Sequence, residues 1–204
     1  MSAISEPSSP RLPGRPRSAR ADHAILEATL DCFIEDGFRG MSMDAIAARA
    51  GVGKATIYRR WNSKEELLVD SIASLQENLE PIDTGSVSTD LVTLIRNVAR
   101  RQESKAGMCM QQILPHLRDN PRLGDIYKER VLEPRRRLAR QILQRGVERG
   151  ELRADVDLEV AIDLVVGPIV FRKLLGDLVP TNTEAYISVV VDHAVKGLGL
   201  PKTN

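Results

Sequence analysis

The sequence predicts an all-α protein of about nine helices, and three observations carry that prediction. Apolar residues recur at three- and four-residue spacing along most of the chain, and capping residues and prolines punctuate those patterns. No run alternates apolar and polar residues as a half-buried strand does.

Residues 1–18, rich in Ser, Pro and Arg and without apolar periodicity, read as a disordered basic arm. Helix one carries Ile25, Ala28, Cys32 and Phe33 on one side and stops near Gly37, where glycine accepts the left-handed conformation of a helix end. Ser42 caps helix two, MDAIAARA, whose Met43, Ile46, Ala47 and Ala50 share a face, while Asp44 suits the helix dipole. Gly51 interrupts, and Lys54 to Trp61 form a short third helix with Ile57 and Trp61 inward. Ser63-Lys64-Glu65-Glu66 fits a capping box opening helix four, with Leu68, Ile72, Leu75 and Leu79, which ends before Pro81. The segment PIDTGS divides an amino-terminal domain, residues 19–80, from a carboxyl-terminal one, residues 81–204.

Beyond that boundary, Ser88 caps a helix carrying Leu91, Leu94, Ile95 and Val98, and a shorter segment from Met108 to Leu117 contains Pro115. Asn120-Pro121 starts a helix running toward Gly150, which Pro134 kinks or splits. Asp155 or Asp157 opens the next, with Leu158, Ala161, Ile162, Val165 and Ile169 and a bend at Gly167-Pro168. The last begins at Thr181-x-x-Glu184 and carries Ile187, Val191, Ala194, Val195 and Leu198.

The chain of 204 residues, 42% hydrophobic, can bury an ordinary core. It has no run of about 18 apolar residues and no apolar leader at its start, so a cytoplasmic protein without membrane contact is expected. Cys32 and Cys109 lack C-x-x-C spacing and read as buried thiols. His23, His116 and His193 are isolated, so no metal site and no cofactor are expected. The net charge of +1 hides two acid-free clusters: Arg11 to Arg20, with four arginines, and Arg49 to Lys64, with Arg49, Lys54, Arg59, Arg60 and Lys64.

Within the second cluster, GVGK imitates the end of a phosphate-binding loop, but the first glycine position of such a loop holds Ala48 and the magnesium-binding hydroxyl position holds Ala55. The preceding segment is also helical where that loop needs a strand. A helix-turn-helix fits instead: Ala50 permits close helix approach, Gly51 turns the chain, and Val52 fills the angle between helices. With Ile57 and Trp61 buried, Ala55, Thr56 and Arg59 face outward, Tyr58 and Arg60 flank them, and Lys54 stands at the tip. Cations and hydroxyls suit phosphates and base edges, and a methyl suits thymine. Ser42 and Lys64, at helix amino-termini, are placed for phosphates.

From Ala24 to Leu68, the residues ILEATLDCFIEDGFRGMSMDAIAARAGVGKATIYRRWNSKEELL resemble the tetracycline-repressor-like (TetR/AcrR) transcriptional regulators. They match that family's Gly-aromatic turn, Ser-Met-Asp helix start, Ala-Gly-Val turn, Thr-x-Tyr recognition helix and capped fourth helix. The resemblance implies that Lys54, Ala55, Thr56, Tyr58, Arg59 and Arg60 face double-stranded DNA and that Ser42 and Lys64 contact phosphates. It further implies a homodimer joined through the last two helices, a palindromic operator, and a carboxyl-terminal pocket for a small-molecule effector that releases a repressor from DNA. Two departures stand out: Gly53 replaces a frequent serine, weakening the cap of helix three, and Trp61 replaces a common phenylalanine and reads as core.

Met108, Cys109, Met110, His116, Tyr127 and Phe171 are the pocket candidates, although Met and aromatics at helical spacing also serve as plain core. Few aromatics follow residue 80, which favours an aliphatic pocket. Gly14-Arg15-Pro16-Arg17 looks like an AT-hook core, with Arg15 and Arg17 for a narrow minor groove; a general phosphate-binding tail and an inert leader are the alternatives. An effector-independent architectural DNA-binding protein and, more remotely, an enzyme on a helical scaffold are the competing functions.

Overall fold

The computed structural model describes residues 16–75, 80–102, 104–175 and 184–199, which form helices joined by short turns and loops, with no strand among the described residues. The helices are α1 (Pro16–Gly40), α2 (Met43–Ala50), α3 (Lys54–Tyr58), α4 (Lys64–Ser74), α5 (Val87–Gln102), α6 (Lys105–Asp119), α7 (Pro121–Tyr127), α8 (Glu133–Glu148), α9 (Leu158–Leu175) and α10 (Glu184–Leu198), with a π turn at Lys128–Leu132 between α7 and α8. None is long and apolar enough to cross a membrane.

The local signals act largely as expected. Gly37, at φ 69° and ψ 176°, breaks α1, leaving a last turn to Gly40. Ser42, Ser63 and Asn120 each accept a backbone N–H, from Ala45, Glu66 and Leu123. Asp157 is the residue that caps α9, its Oδ1 accepting from the amides of Glu159 at 2.9 Å and Val160 at 3.1 Å.

Several boundaries differ. Pro16, Arg17 and Ser18 form the first turn of α1 and not the end of an extended arm, which suits a proline whose missing N–H costs nothing there; Arg15 lies outside the described residues. Residue 88 lies inside α5, which starts at Val87, so Ser88 is not its cap. The helix expected from Pro121 to about Gly150 is continuous in backbone but interrupted by the wider π turn, whose i→i−5 bond from the Glu133 amide to Lys128 O lies immediately before Pro134 in the first turn of α8. α9 runs unbroken through Pro168. Leu79 and Thr181 lie outside the described residues.

Two cores form. Ile25, Phe33, Ile46, Ile57, Leu68 and Ile72 of α1–α4 pack together with Cys109, Ile113, Leu123, Tyr127 and Val131. Leu91, Ile95, Ile142, Leu143, Ile162, Val165, Ile187 and Val191, from α5, α8, α9 and α10, make the second. The expected boundary near residue 80 is therefore bridged, because α6, α7 and the π turn carry apolar faces that complete the amino-terminal core. Polar links reinforce the junction: Lys105 of α6 pairs with Glu27 at 3.1 Å and Asp31 at 2.8 Å on α1.

Candidate nucleic-acid interface and cavity

A five-residue helix is not stable by itself, since nucleation is costly and few hydrogen bonds follow. Packing holds α3 in place. Gly51, at φ 66°, caps α2 in the left-handed conformation, and the Val52 amide donates to Ala47 O at 3.1 Å, setting the sharp turn. Ile57 is fully buried, contributing roughly 1.5–3 kcal/mol by the usual transfer scale. Gly53 supplies no side-chain cap, and α3 stops at Tyr58 rather than reaching Trp61; the amides of Arg60 and Trp61 both fold back to Ile57 O. Trp61 is core as expected, and its indole Nε1 donates to Asp70 Oδ2 at 2.9 Å.

The rest of α3 and the turn after it face outward. Lys54, Ala55, Arg59 and Arg60 are exposed, Thr56 is half-buried, and Tyr58 is 47% exposed. Lys54 pairs with Asp44 of α2, which pushes the lysine pKa up, and Arg60 pairs with Asp22 of α1. The Lys54–Asp44 pair is solvent-exposed and so holds the lysine only weakly. Ser42 uses its oxygen on the Ala45 amide at 3.2 Å and retains its hydroxyl proton for a donor bond.

Lys64 has contacts within the fold that its spacing does not suggest. Its Nζ donates to Phe38 O at 2.9 Å and lies 4.6 Å from the centre of the Phe38 ring, so it ties α4 to the α1–α2 corner. A lysine opening a helix has two uses, and sequence spacing does not reveal the carbonyl waiting beside it.

The carboxyl-terminal region contains a cavity of about 1070 Å³ between α5, α6, the π turn, α8 and α9. Leu94, Val98, Leu132, Leu138, Ile162 and Val166 line much of it, and no aromatic lies on its wall among the described residues. The aliphatic character matches the expectation; most of the candidates do not. Met110 lines the cavity, but Met108 is exposed, Cys109 and Tyr127 are buried in the amino-terminal core, and the His116 ring sits 5.3 Å from that of Phe38. Phe171 is 61% exposed on α9, away from the cavity. Aromatic and thioether side chains fill packing gaps at helix junctions, and here the gap was the domain junction.

Arg101 and Arg135, both on the cavity wall, were missed. The signal was present: Arg135 stands one turn before Leu138 and Ala139 on the buried stripe of α8, and Arg101 follows Leu94 and Val98 on α5. A charge on an apolar stripe is a departure from helical patterning.

Residues 25–70 match the family profile "Bacterial regulatory proteins, tetR family", and residues 81–194 match "Tetracyclin repressor-like, C-terminal domain". The chain is 39% identical over 187 residues to the HTH-type transcriptional regulator YdeS of Bacillus subtilis (strain 168), covering 91% of this chain and 93% of that one. It is 30% identical over 184 residues to the DNA-binding transcriptional repressor TetR of Mycobacteroides abscessus, covering 89% and 93%. Among solved structures, the flavonoid-responsive regulator FrrA is similar with a TM-score of 0.69 and 27% identity, covering 88% and 95%.

Proposed function

Since the chain belongs to the tetR family of bacterial transcriptional regulators, we propose that it acts as a homodimeric repressor, holding a palindromic operator until a small molecule occupies the α5–α9 cavity. The observation that carries this reading is the pairing of an outward α3 face, held by Ile57 and Trp61, with a large aliphatic cavity whose walls also pack on the DNA-binding core. Lys54, Thr56, Tyr58, Arg59 and Arg60 enter the major groove, Ala55 meets a thymine methyl, and Ser42 donates to a phosphate.

The dimer face is the exposed stripe Val160, Leu164, Phe171 and Leu174 of α9, joined by Val189 of α10. These residues repeat at helical spacing on the side opposite the buried Ala161, Ile162, Val165 and Ile169, and such a continuous apolar patch calls for a partner. Two recognition helices about 34 Å apart then read successive major grooves.

Release needs an effector that favours a dimer with different groove spacing, because only differential affinity shifts such an equilibrium. Met110 and Leu132 supply the contact: both line the cavity, Met110 packs against the amino-terminal core, and Leu132 adjoins Val131 of that core. The flavonoid response named for the regulator FrrA supports a small-molecule signal. In-vitro selection of bound DNA tests the proposal: enrichment of a two-fold symmetric site supports it, and binding without sequence preference rejects it.

A further inference from the structure

We propose that the α5–α9 cavity takes an amphipathic anion, a carboxylate or like headgroup set against the Arg135 and Arg101 guanidinium groups with an aliphatic body along α5, α8 and α9. This rests on the effector-cavity reading above and adds the chemical class of the ligand.

Three cations lie on the wall, and they differ. Arg136 is neutralised, with Nη2 2.6 Å from Glu159 and Nη1 2.7 Å from Asp163. Arg135 has no carboxylate partner among the described residues: its Nη1 donates to the Met110 sulfur at 3.0 Å, and its Nε and Nη2 are buried without any hydrogen-bond partner. Desolvation holds its pKa below the usual guanidinium value; the neighbouring Tyr127 hydroxyl, a neutral hydrogen-bond partner, opposes that shift, and the like charge of Arg101 adds to it. No ion pair joins Arg101 to an acid among the described residues either. Of the carboxylates on the wall, Asp163 is held by Arg136, and Glu80 is exposed beside Pro81.

Burying a guanidinium without a counter-charge is costly, and proteins seldom tolerate it without a compensating group. The Met110 sulfur and the Tyr127 hydroxyl are neutral acceptors, so they leave Arg135 without a counter-charge and its Nε and Nη2 without a geometric hydrogen-bond partner. A carboxylate matches that fork, and two adjacent guanidiniums make the position strongly selective for an anion. The remaining wall, with Leu94, Val98, Leu138, Ile162, Val166 and Val170, offers an aliphatic body dispersion and desolvation but no ring to stack on. The cavity volume of about 1070 Å³ lies at the upper end of small-molecule sites and accommodates a chain of many carbons.

The experiment measures binding of decanoate, 1-decanol and decylamine to the full-length chain, by calorimetry and thermal shift, below their aggregation concentrations. Decanoate is expected to bind about tenfold or more tighter than 1-decanol, with decylamine weakest. In Arg135→Met the advantage of decanoate over 1-decanol should vanish while 1-decanol binding persists; Arg101→Gln, at the less enclosed cation, should reduce the same ratio and serves if Arg135→Met does not fold. Equal binding of decanoate and 1-decanol to the unaltered chain, or an unchanged ratio in the folded variants, overturns the anion inference and leaves the cavity reading standing. Failure of all three probes to bind a folded, DNA-binding chain overturns the aliphatic cavity reading and this inference together.

Discussion

The indole of Trp61 and the carboxylate of Asp70 form a 2.9 Å hydrogen bond, and the second oxygen of Asp70 accepts from Arg130 Nη1 at 2.7 Å. One carboxylate therefore joins the segment after α3 to α4 and to the π turn. Asp70→Ala leaves a buried indole N–H unpaired and should lower stability by about 1–3 kcal/mol. The half-exposed Arg130 pair contributes less, so Arg130→Met should cost under about 1 kcal/mol in urea unfolding. Arg130→Met should also weaken effector-driven release from operator DNA; unaltered coupling would show that the π turn does not carry the signal.

Arg59 and Lys64 should separate in their effects. Arg59, the residue that caps α3, is exposed with no ion-pair partner among the described residues, so Arg59→Ala should weaken operator binding while the thermal midpoint holds. If Arg59 meets a phosphate, the slope of log affinity against log salt should drop by about 0.9 per half-site. Lys64→Met should instead destabilise the fold by about 1–2 kcal/mol through loss of its bond to Phe38 O, with little change in the salt slope. The reverse pattern would return Lys64 to the phosphate contacts.

Gly51→Ala should cost about 1–2 kcal/mol, because the φ of 66° is a backbone region in which a Cβ is strained, although nothing lies within 4 Å of the added atom. Chemical denaturation measures this cost, and a neutral result would mean that the turn relaxes to another conformation.

Leu164→Glu should yield monomers in sedimentation analysis and abolish tight operator binding, since the exposed stripe of α9 has its apolar character interrupted at its middle. A dimer that survives this change locates the two-fold contact elsewhere.

Cys109 is fully buried, and desolvation pushes its thiol from 9.0 up to about 11; burial also raises Cys32. Neither thiol should react with a disulfide reagent at pH 8 until the chain unfolds. The folded state holds the proton more tightly than the unfolded one, so stability is fully present below about pH 9 and falls as pH rises toward 11. Cys109→Ala should reduce that alkaline loss, leaving the share due to Cys32, as pH-dependent unfolding would show.

The outward face of the helix-turn-helix was legible because its determinants are short-range. Ser42, Gly51 and Ser63 act on amides a few residues away, and the burial of Ile57 and Trp61 orients α3, whose period follows from helix geometry alone. The spacing of Leu158 through Ile169 likewise marked the buried side of α9 before any partner was known. Side chains whose role depends on distant segments were a different matter. Lys64 found a carbonyl 26 residues away, Trp61 a carboxylate that α4 brings to it, and Tyr127 and Cys109 a core begun by the other end of the chain. Met108, His116 and Phe171 have the chemistry of ligand contacts, yet only helix packing decided that Met110, Arg101 and Arg135 would surround the cavity. Local hydrogen bonding and helical period thus belong to the sequence, whereas enclosure and charge pairing arise from how separate helices meet, and no single stretch of the chain contains that information.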